Sequence, residues 1–160
     1  MRHFLKIVGL ALAGMAAGCV TGPAKTAGFG EVRGKEWALT EVISRSGSIV
    51  IDRQKPEAGG MADRYTLFID DERIGGRASP NRYFAPYLLE EGRGISLGAV
   101  AGTLMANLTD PGGLQEEAYY RFLEGVYRWD LSGDRLELLT KGPDGTEARL
   151  IYREKAQIQQ

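Results

Sequence analysis

Residues 127–140, YRWDLSGDRLELLT, decide the fold of this chain. Apolar and polar side chains alternate on both sides of Ser132-Gly133-Asp134, whose glycine and aspartate favour a tight turn. In the second arm Leu136 and Leu138 alternate with charged neighbours. Because successive side chains of a strand point to opposite faces, the stretch predicts a β-hairpin with one apolar face.

A third strand is predicted directly after the hairpin. Gly142-Pro143-Asp144-Gly145 has the composition of a turn, and Ala148, Leu150 and Tyr152 then occupy alternate positions. The alternation therefore predicts a closing strand after this turn.

A helix is predicted directly before the hairpin. Asp110 can cap free amides, and Pro111 suits the first helical position because it lacks an N–H. Apolar side chains then recur every four residues, which gives the helix a face to lay on a sheet. That face comprises Leu114, Ala118, Phe122 and Val126, with Tyr119 and Leu123 beside them, and the face toward water comprises Gln115, Glu116, Glu117, Arg121 and Glu124.

The part of the chain before the helix also predicts strands. Residues 36–43 place Trp37, Leu39, Glu41 and Ile43 on one alternate set. Shorter β-rich runs cover residues 49–51, 65–69 and 73–78, and Gly75-Gly76 either weakens the last of them or marks a bulge where another backbone approaches. The sequence therefore predicts an α+β, mainly β fold with an antiparallel sheet and one helix.

Residues 1–18 have the layout of a signal peptide, with early basic residues, an apolar run and small residues before Cys19. The apolar run is shorter than the roughly 20 residues that a transmembrane helix needs. Ala16-Ala17-Gly18-Cys19 resembles the lipobox of bacterial lipoproteins, although Ala16 stands where leucine is usual. We expect cleavage before Cys19 and lipid on its thiol, and the alternative is an ordinary secretory signal that is cut near a free cysteine.

The expected anchor defines the organisation of the chain. We predict a lipoprotein signal peptide at 1–18, a flexible tether at 19–34, one domain at 35–153 and a polar tail at 154–160. Several acyl chains would hold the domain durably on a membrane in the cell envelope. Val20 resembles the residue of outer-membrane cargo, so a cell with two membranes would carry the domain on the outer membrane, facing the periplasm.

Composition argues against several classes of function. With 20 basic and 21 acidic residues the formal net charge is −1, so we expect no nucleic-acid partner. His3 is the only histidine and Cys19 the only cysteine, so the mature domain lacks the commonest general base and any internal disulfide. We therefore expect no catalytic residues, no metal site and no cofactor, and we expect a monomer.

The stretch from Trp37 to Tyr152 resembles the META domain family, which includes HslJ-like envelope proteins of bacteria. The resemblance lies in the order of its pieces, which are a tryptophan strand, residues 76–87 (GRASPNRYFAPY), residues 103–106 (TLMA), a Glu-rich helix at 116–123 and a hairpin at 130–139. It implies a strongly curved antiparallel sheet, or small barrel-like roll, with one packed helix.

The resemblance implies less about function than about fold. Family members are linked to heat induction, antibiotic tolerance and, in parasites, motility or virulence, without shared catalytic residues. Two cysteines that are frequent in the family are replaced here by Pro80 and Asn107, so a redox role does not carry over.

Six residues are candidates for a partner or ligand surface: Asn81, Tyr83, Tyr87, Tyr119, Tyr120 and Trp129. Exposed aromatic side chains would mark a binding surface, whereas buried ones would belong to the core, and Asn81 would then be a turn residue. Asp70, Asp71 and Glu72 could collect calcium but lack the spacing of a known loop, so a hairpin turn is the preferred interpretation.

Two functions remain open from the sequence. The first is a lipid-anchored, non-enzymatic envelope domain that supports envelope integrity, stress tolerance or antibiotic tolerance through contacts with an envelope protein. The alternative is a module that binds a small apolar ligand inside the curved sheet or at its mouth. A solid interior would remove the basis of the alternative, and its expected residues are Trp37, Phe68, Leu97, Phe122 and Leu138.

Overall fold

The computed structural model describes residues 28–52, 64–78, 80–105, 113–142 and 144–156. The predicted signal peptide, Cys19 and most of the predicted tether lie outside the described residues. The strands are β1 (Glu36–Ser44), β2 (Gly47–Val50), β3 (Thr66–Ile69), β4 (Arg73–Arg77), β5 (Arg82–Leu89), β6 (Ile95–Leu97), β7 (Ala101–Gly102), β8 (Val126–Ser132), β9 (Arg135–Lys141) and β10 (Glu147–Glu154). The helix α1 spans Glu116–Glu124, and a 3-10 turn spans Phe29–Glu31.

The strands form one antiparallel sheet that curves almost into a barrel. Its order is β6-β5-β4-β3-β1-β10-β9-β8, with β2 added beside β1 and β7 beside β5. The two outer strands of this order meet where Gly94 bridges to Arg128 and the Trp129 N–H donates to the Arg93 carbonyl at 3.0 Å. The predicted mainly β, barrel-like roll with a packed helix is confirmed.

The hairpin that decided the fold is β8 and β9. Leu131 pairs with Leu136 around Gly133, whose φ of 60° is the left-handed conformation that glycine adopts without cost. β10 pairs with the full length of β9, and the alternate apolar side chains of both strands face the core. Local periodicity therefore predicted this part of the molecule correctly.

The predicted alternation in β1 fails after Leu39. Leu39 pairs with Tyr152 and Glu41 pairs with the next residue of β10, Ile151, so Thr40 is an extra residue in a β-bulge. A bulge exchanges the two faces of the strand beyond it, and Val42 is buried where Glu41 and Ile43 were expected. The bulge also marks the point where β1 changes its second neighbour from β3 to β2.

The helix begins later than the sequence predicted. Asp110 and Pro111 lie outside the described residues, while Leu114 and Gln115 are not helical and α1 starts at Glu116. Its most buried side chains are consequently Tyr119 and Leu123, with Ala118 and Phe122 at the edge of the core.

Residues 28–34, which were predicted as the last part of the tether, pack against the barrel. The Phe29 ring lies 5.4 Å from that of Tyr87 and 5.1 Å from that of Trp129. Val32 is completely buried, and its carbonyl accepts a hydrogen bond from the Trp37 indole at 3.0 Å. Burial removes the apolar surface of both side chains from water, and this stabilises the packed conformation of the segment over a flexible one.

The domain also extends past the predicted start of the polar tail at residue 154. Glu154 is the last residue of β10, and the Lys155 N–H donates to the Glu36 carbonyl at 2.8 Å. In the described part of the chain, no helix is both long and apolar enough to cross a membrane.

Candidate functional site

The structure places the six predicted surface residues inside the molecule or at its edge. Tyr119 is completely buried, Tyr120 is half-buried, and the other four are at most 8% exposed. Most of the set therefore belongs to the core, which is the alternative that the sequence had left open. The sequence could not decide this point, because a tyrosine suits both a core and an interface.

Tyr119 lies at the centre of a buried tyrosine cluster. Its hydroxyl is 2.9 Å from that of Tyr83 and 3.1 Å from that of Tyr152, so phenols from α1, β5 and β10 meet at one point. The Tyr65 ring packs edge-on against the Tyr119 ring at 5.1 Å, and the Tyr65 hydroxyl donates to the Leu114 carbonyl. The cluster thus joins the helix to both halves of the sheet.

The hydrogen bonds of the tyrosine cluster have a direction. The Tyr83 hydroxyl donates its only proton to the Thr66 carbonyl at 2.8 Å, so it accepts from Tyr119, and Tyr119 in turn accepts from Tyr152. Burial raises the pKa of Tyr83 far above its ordinary value, and neighbouring Tyr119 adds to the effect. The phenol therefore stays neutral and serves as a donor within the core.

Gly76 makes room for this arrangement. A Cβ atom at Gly76 would lie 2.0 Å from the Thr66 carbonyl oxygen and 3.1 Å from the Tyr83 hydroxyl. Only glycine lets β3 and β4 approach so closely, so another backbone does approach at this point. The predicted bulge is not found, because β4 pairs with β5 without a register shift from Arg73 to Arg77.

Asn81 holds the segment after β7 against the sheet. Its carbonyl oxygen accepts from the Thr103 hydroxyl at 2.8 Å and from the Met105 N–H at 2.7 Å. Its amide donates to the Met105 carbonyl at 3.1 Å and to the Glu116 carboxylate at 3.0 Å. All four hydrogen-bonding positions of the amide are used, so Asn81 is a structural clamp rather than a free polar group.

Glu116 is a residue whose role the sequence did not reveal. It was expected to face water, yet its carboxylate accepts from Asn81 and from the Tyr120 hydroxyl. Burial raises the pKa of Tyr120, and the hydrogen bond to Glu116 raises it further. Because the helix begins at Glu116, this carboxylate lies in the first turn and is directed toward β5. A helix that started at Pro111, as predicted, would have placed Glu116 on the face toward water.

Tyr87 and Trp129 belong to a second aromatic group at the opposite end of β5. The Tyr87 hydroxyl donates to the Asp70 carbonyl at 2.8 Å, and the Arg93 guanidinium lies 5.3 Å from the centre of the Trp129 ring. Arg93 also forms a salt bridge with Asp130. These contacts stabilise the closure of the barrel, where β6 meets β8.

The acidic run at Asp70 forms the predicted hairpin turn. Asp70 accepts from the N–H groups of Glu72 and Arg73 at 2.9 and 2.8 Å, and these bonds lower the pKa of its carboxyl. Within the five described ranges, no three His, Cys, Asp or Glu side chains lie close enough together to hold a metal ion.

The chemistry of these groups is structural. The phenols of Tyr83 and Tyr120 keep their protons, the Asn81 amide is saturated, and each donor is directed at a group of the protein itself. An arrangement of this kind fixes the helix and the β7 region with high specificity. It offers no poised nucleophile or base.

Comparison with known proteins identifies the domain. The META domain family matches residues 30–156, whereas a search of curated proteins finds no match. The fold is similar to the NMR structure of a protein from Burkholderia xenovorans, with a TM-score of 0.60, 18% identity and coverage of 91% of this chain and 100% of that chain. A second NMR structure has a TM-score of 0.51 and 16% identity, and the match covers 79% of this chain and 94% of that chain.

These two structures support the fold alone, and neither they nor the family match indicates a catalytic activity. The family match extends across nearly all of the barrel described above. The chain belongs to the META domain family.

Proposed function

We propose that this chain is a lipid-anchored, non-enzymatic domain of the cell envelope that supports envelope integrity under stress through protein contacts. The observation that carries the proposal is Cys19, the only cysteine, directly after Ala16-Ala17-Gly18 and a short apolar run. With no second cysteine available, its thiol has no partner for an internal disulfide. Acylation is the chemistry that this position favours.

The non-enzymatic part of the proposal rests on the described polar groups of the interior. Tyr83 and Asn81 are each satisfied by protein partners, and the pKa of Tyr83 is raised rather than lowered toward neutrality. A catalytic base or nucleophile needs the opposite tuning and access to a substrate.

The alternative, an apolar ligand inside the sheet, has lost much of its support. Trp37 and Leu138 fill the core as expected, and Tyr119 and Tyr152 occupy the space between the helix and the sheet. Leu97 and Phe122 are only partly buried against the core, and Phe68 is 43% exposed on the outside of β3.

Metabolic labelling tests the anchor. Cells that express the wild-type chain or Cys19→Ala are fed an alkyne fatty acid, and the purified proteins are coupled to a fluorophore. We expect label on the wild type and none on Cys19→Ala, with Ser44→Ala as a matched control that keeps the label. Equal labelling of wild type and Cys19→Ala would overturn the proposal.

The stress role has a separate test. A strain that lacks the gene is complemented with the wild-type chain or with Cys19→Ala, and survival on detergent and after heat shock is counted. We expect rescue by the wild type alone. Full rescue by Cys19→Ala would show that anchoring is dispensable for the role.

A further inference from the structure

An apolar row crosses the outside of the sheet at the centre of β3, β4 and β5. Phe68 pairs with Gly75, and Gly75 pairs with Phe84, so the two rings flank a position without a side chain. Phe68 is 43% exposed and Phe84 is 51% exposed, and Leu88 farther along β5 is 73% exposed. Exposed apolar side chains that share one face of a sheet are typical of an interaction site.

Two arginines stand directly opposite each other beside this row. Arg77 at the end of β4 pairs with Arg82 at the start of β5, and Arg82 shares its face of the strand with Phe84. Like charges at paired positions repel, so the pair destabilises the sheet unless an anion lies between or above it.

Nearby carboxylates do not neutralise these two arginines. Asp70 pairs with Arg73, Glu36 pairs with Lys155, and across the described ranges neither Arg77 nor Arg82 forms a salt bridge. The face made by Phe68, Phe84, Leu88, Arg77 and Arg82, here called the outer face, therefore combines apolar exposure with uncompensated positive charge.

The shape of the outer face limits what it can bind. It lies on the outside of a barrel-like sheet, which is convex, whereas sites for small molecules are concave. A bilayer surface suits a convex face, because it supplies phosphates at any spacing to the guanidiniums and an apolar layer for phenyl and leucyl side chains just below.

The chain enters the domain beside the outer face. The Gly34 N–H donates to the Ile69 carbonyl at the end of β3, and Arg33 pairs with Asp71 at 3.0 Å. Only residues 20–27 separate Cys19 from the first described residue, Gly28, and these nine residue steps span at most about 32 Å. An anchor at Cys19 thus keeps the face within reach of the membrane.

We propose that the outer face docks on anionic phospholipid of the membrane that carries the Cys19 lipid, with Arg77 and Arg82 at the phosphates and Phe68, Phe84 and Leu88 in contact with the acyl boundary. This inference rests on the proposed function for its anchor. Tethering raises the local concentration into the millimolar range, so weak docking is sufficient. Docking fixes the orientation of the barrel and directs β8, β9 and β10 toward other proteins.

Tryptophan fluorescence tests the docking. The native Trp37 and Trp129 are buried, so a Phe84→Trp variant adds the one tryptophan that reports on the outer face. The chain from residue 19 onward with Cys19→Ala, which lacks both the signal peptide and the anchor, is mixed with phosphatidylcholine vesicles with or without phosphatidylglycerol. We expect a blue shift and quenching by brominated lipid only with phosphatidylglycerol.

Charge variants supply the decisive comparison. Arg77→Gln with Arg82→Gln should lower binding to the anionic vesicles about 25-fold, since each cation at an anionic surface contributes about fivefold. Arg149→Gln with Arg153→Gln removes the same charge from β10 and should leave the binding within about twofold. An equal loss of vesicle binding in the two double variants would overturn the inference. So would a blue shift of the same size with and without phosphatidylglycerol.

The remaining outcomes separate this inference from the proposed function. Fatty-acid labelling of Cys19 without vesicle binding refutes the docking alone, whereas vesicle binding without labelling refutes the anchor and leaves the face as a lipid-binding surface. A blue shift with polyglutamate but not with vesicles assigns the face to an acidic protein and also overturns the docking.

Discussion

The two halves of this barrel are stabilised in different ways. In β8, β9 and β10 four buried leucines, Leu131, Leu136, Leu138 and Leu150, pack from strands that follow one another in the chain. Around β3, β5 and α1 the interior is phenolic, and its hydrogen bonds join residues far apart, such as Tyr83 and Tyr119. One half depends on apolar area and the other on mutual hydrogen bonding.

The difference between the halves concerns specificity. Aliphatic contacts tolerate small shifts, because dispersion and burial have no direction. Hydrogen bonds between buried phenols have one geometry, and an unpaired hydroxyl in the core is costly. The tyrosine cluster therefore fixes where α1 sits, whereas the leucines of β8, β9 and β10 contribute apolar burial without a fixed geometry.

The largest effect should come from the aliphatic half. Leu136→Ala removes a fully buried side chain opposite Leu131 and Tyr152, and we expect a loss of about 3 kcal/mol in the free energy of unfolding. Urea denaturation measures it. Leu139→Ala, on the same strand but half-buried, should cost clearly less, and equal costs would show that burial does not distinguish the two faces.

The same contrast explains how much of the fold the sequence could predict. The β8–β9 hairpin followed from alternation alone, because every pairing in it is local. Neither the bulge at Thr40 nor the interior position of Tyr119 could be read from periodicity, since both depend on strands more than 20 residues away.

The candidate site was predicted less well, for a related reason. Of the six residues chosen from the sequence, four are buried in the core and Asn81 is a structural clamp. The exposed features, Arg77 opposite Arg82 and Phe84 beside Gly75, become visible only once the register of β4 and β5 is known.

A smaller effect is expected in the phenolic half. Tyr119→Phe keeps the ring but removes the hydroxyl between Tyr83 and Tyr152, which leaves unmet hydrogen bonds in the core at a cost of about 2 kcal/mol. Tyr127→Phe removes an exposed hydroxyl from β8 and should change stability by less than about 0.5 kcal/mol. A neutral Tyr119→Phe would mean that packing alone positions the helix.

The smallest effect should appear at high pH and only in the phenolic half. Burial raises the pKa of Tyr83 in the folded protein, whereas in the unfolded chain it titrates near 10. A group with a raised folded pKa contributes its full stability below the unfolded value and loses it as the pH rises toward the folded one. Between pH 8 and pH 10.5 the wild type should therefore lose about 1 kcal/mol more than Tyr83→Phe does. Urea titrations of both proteins at the two pH values measure this difference, and parallel losses would contradict a neutral, buried Tyr83. Because Leu136→Ala leaves Tyr83 in place, that variant should show the same pH dependence as the wild type.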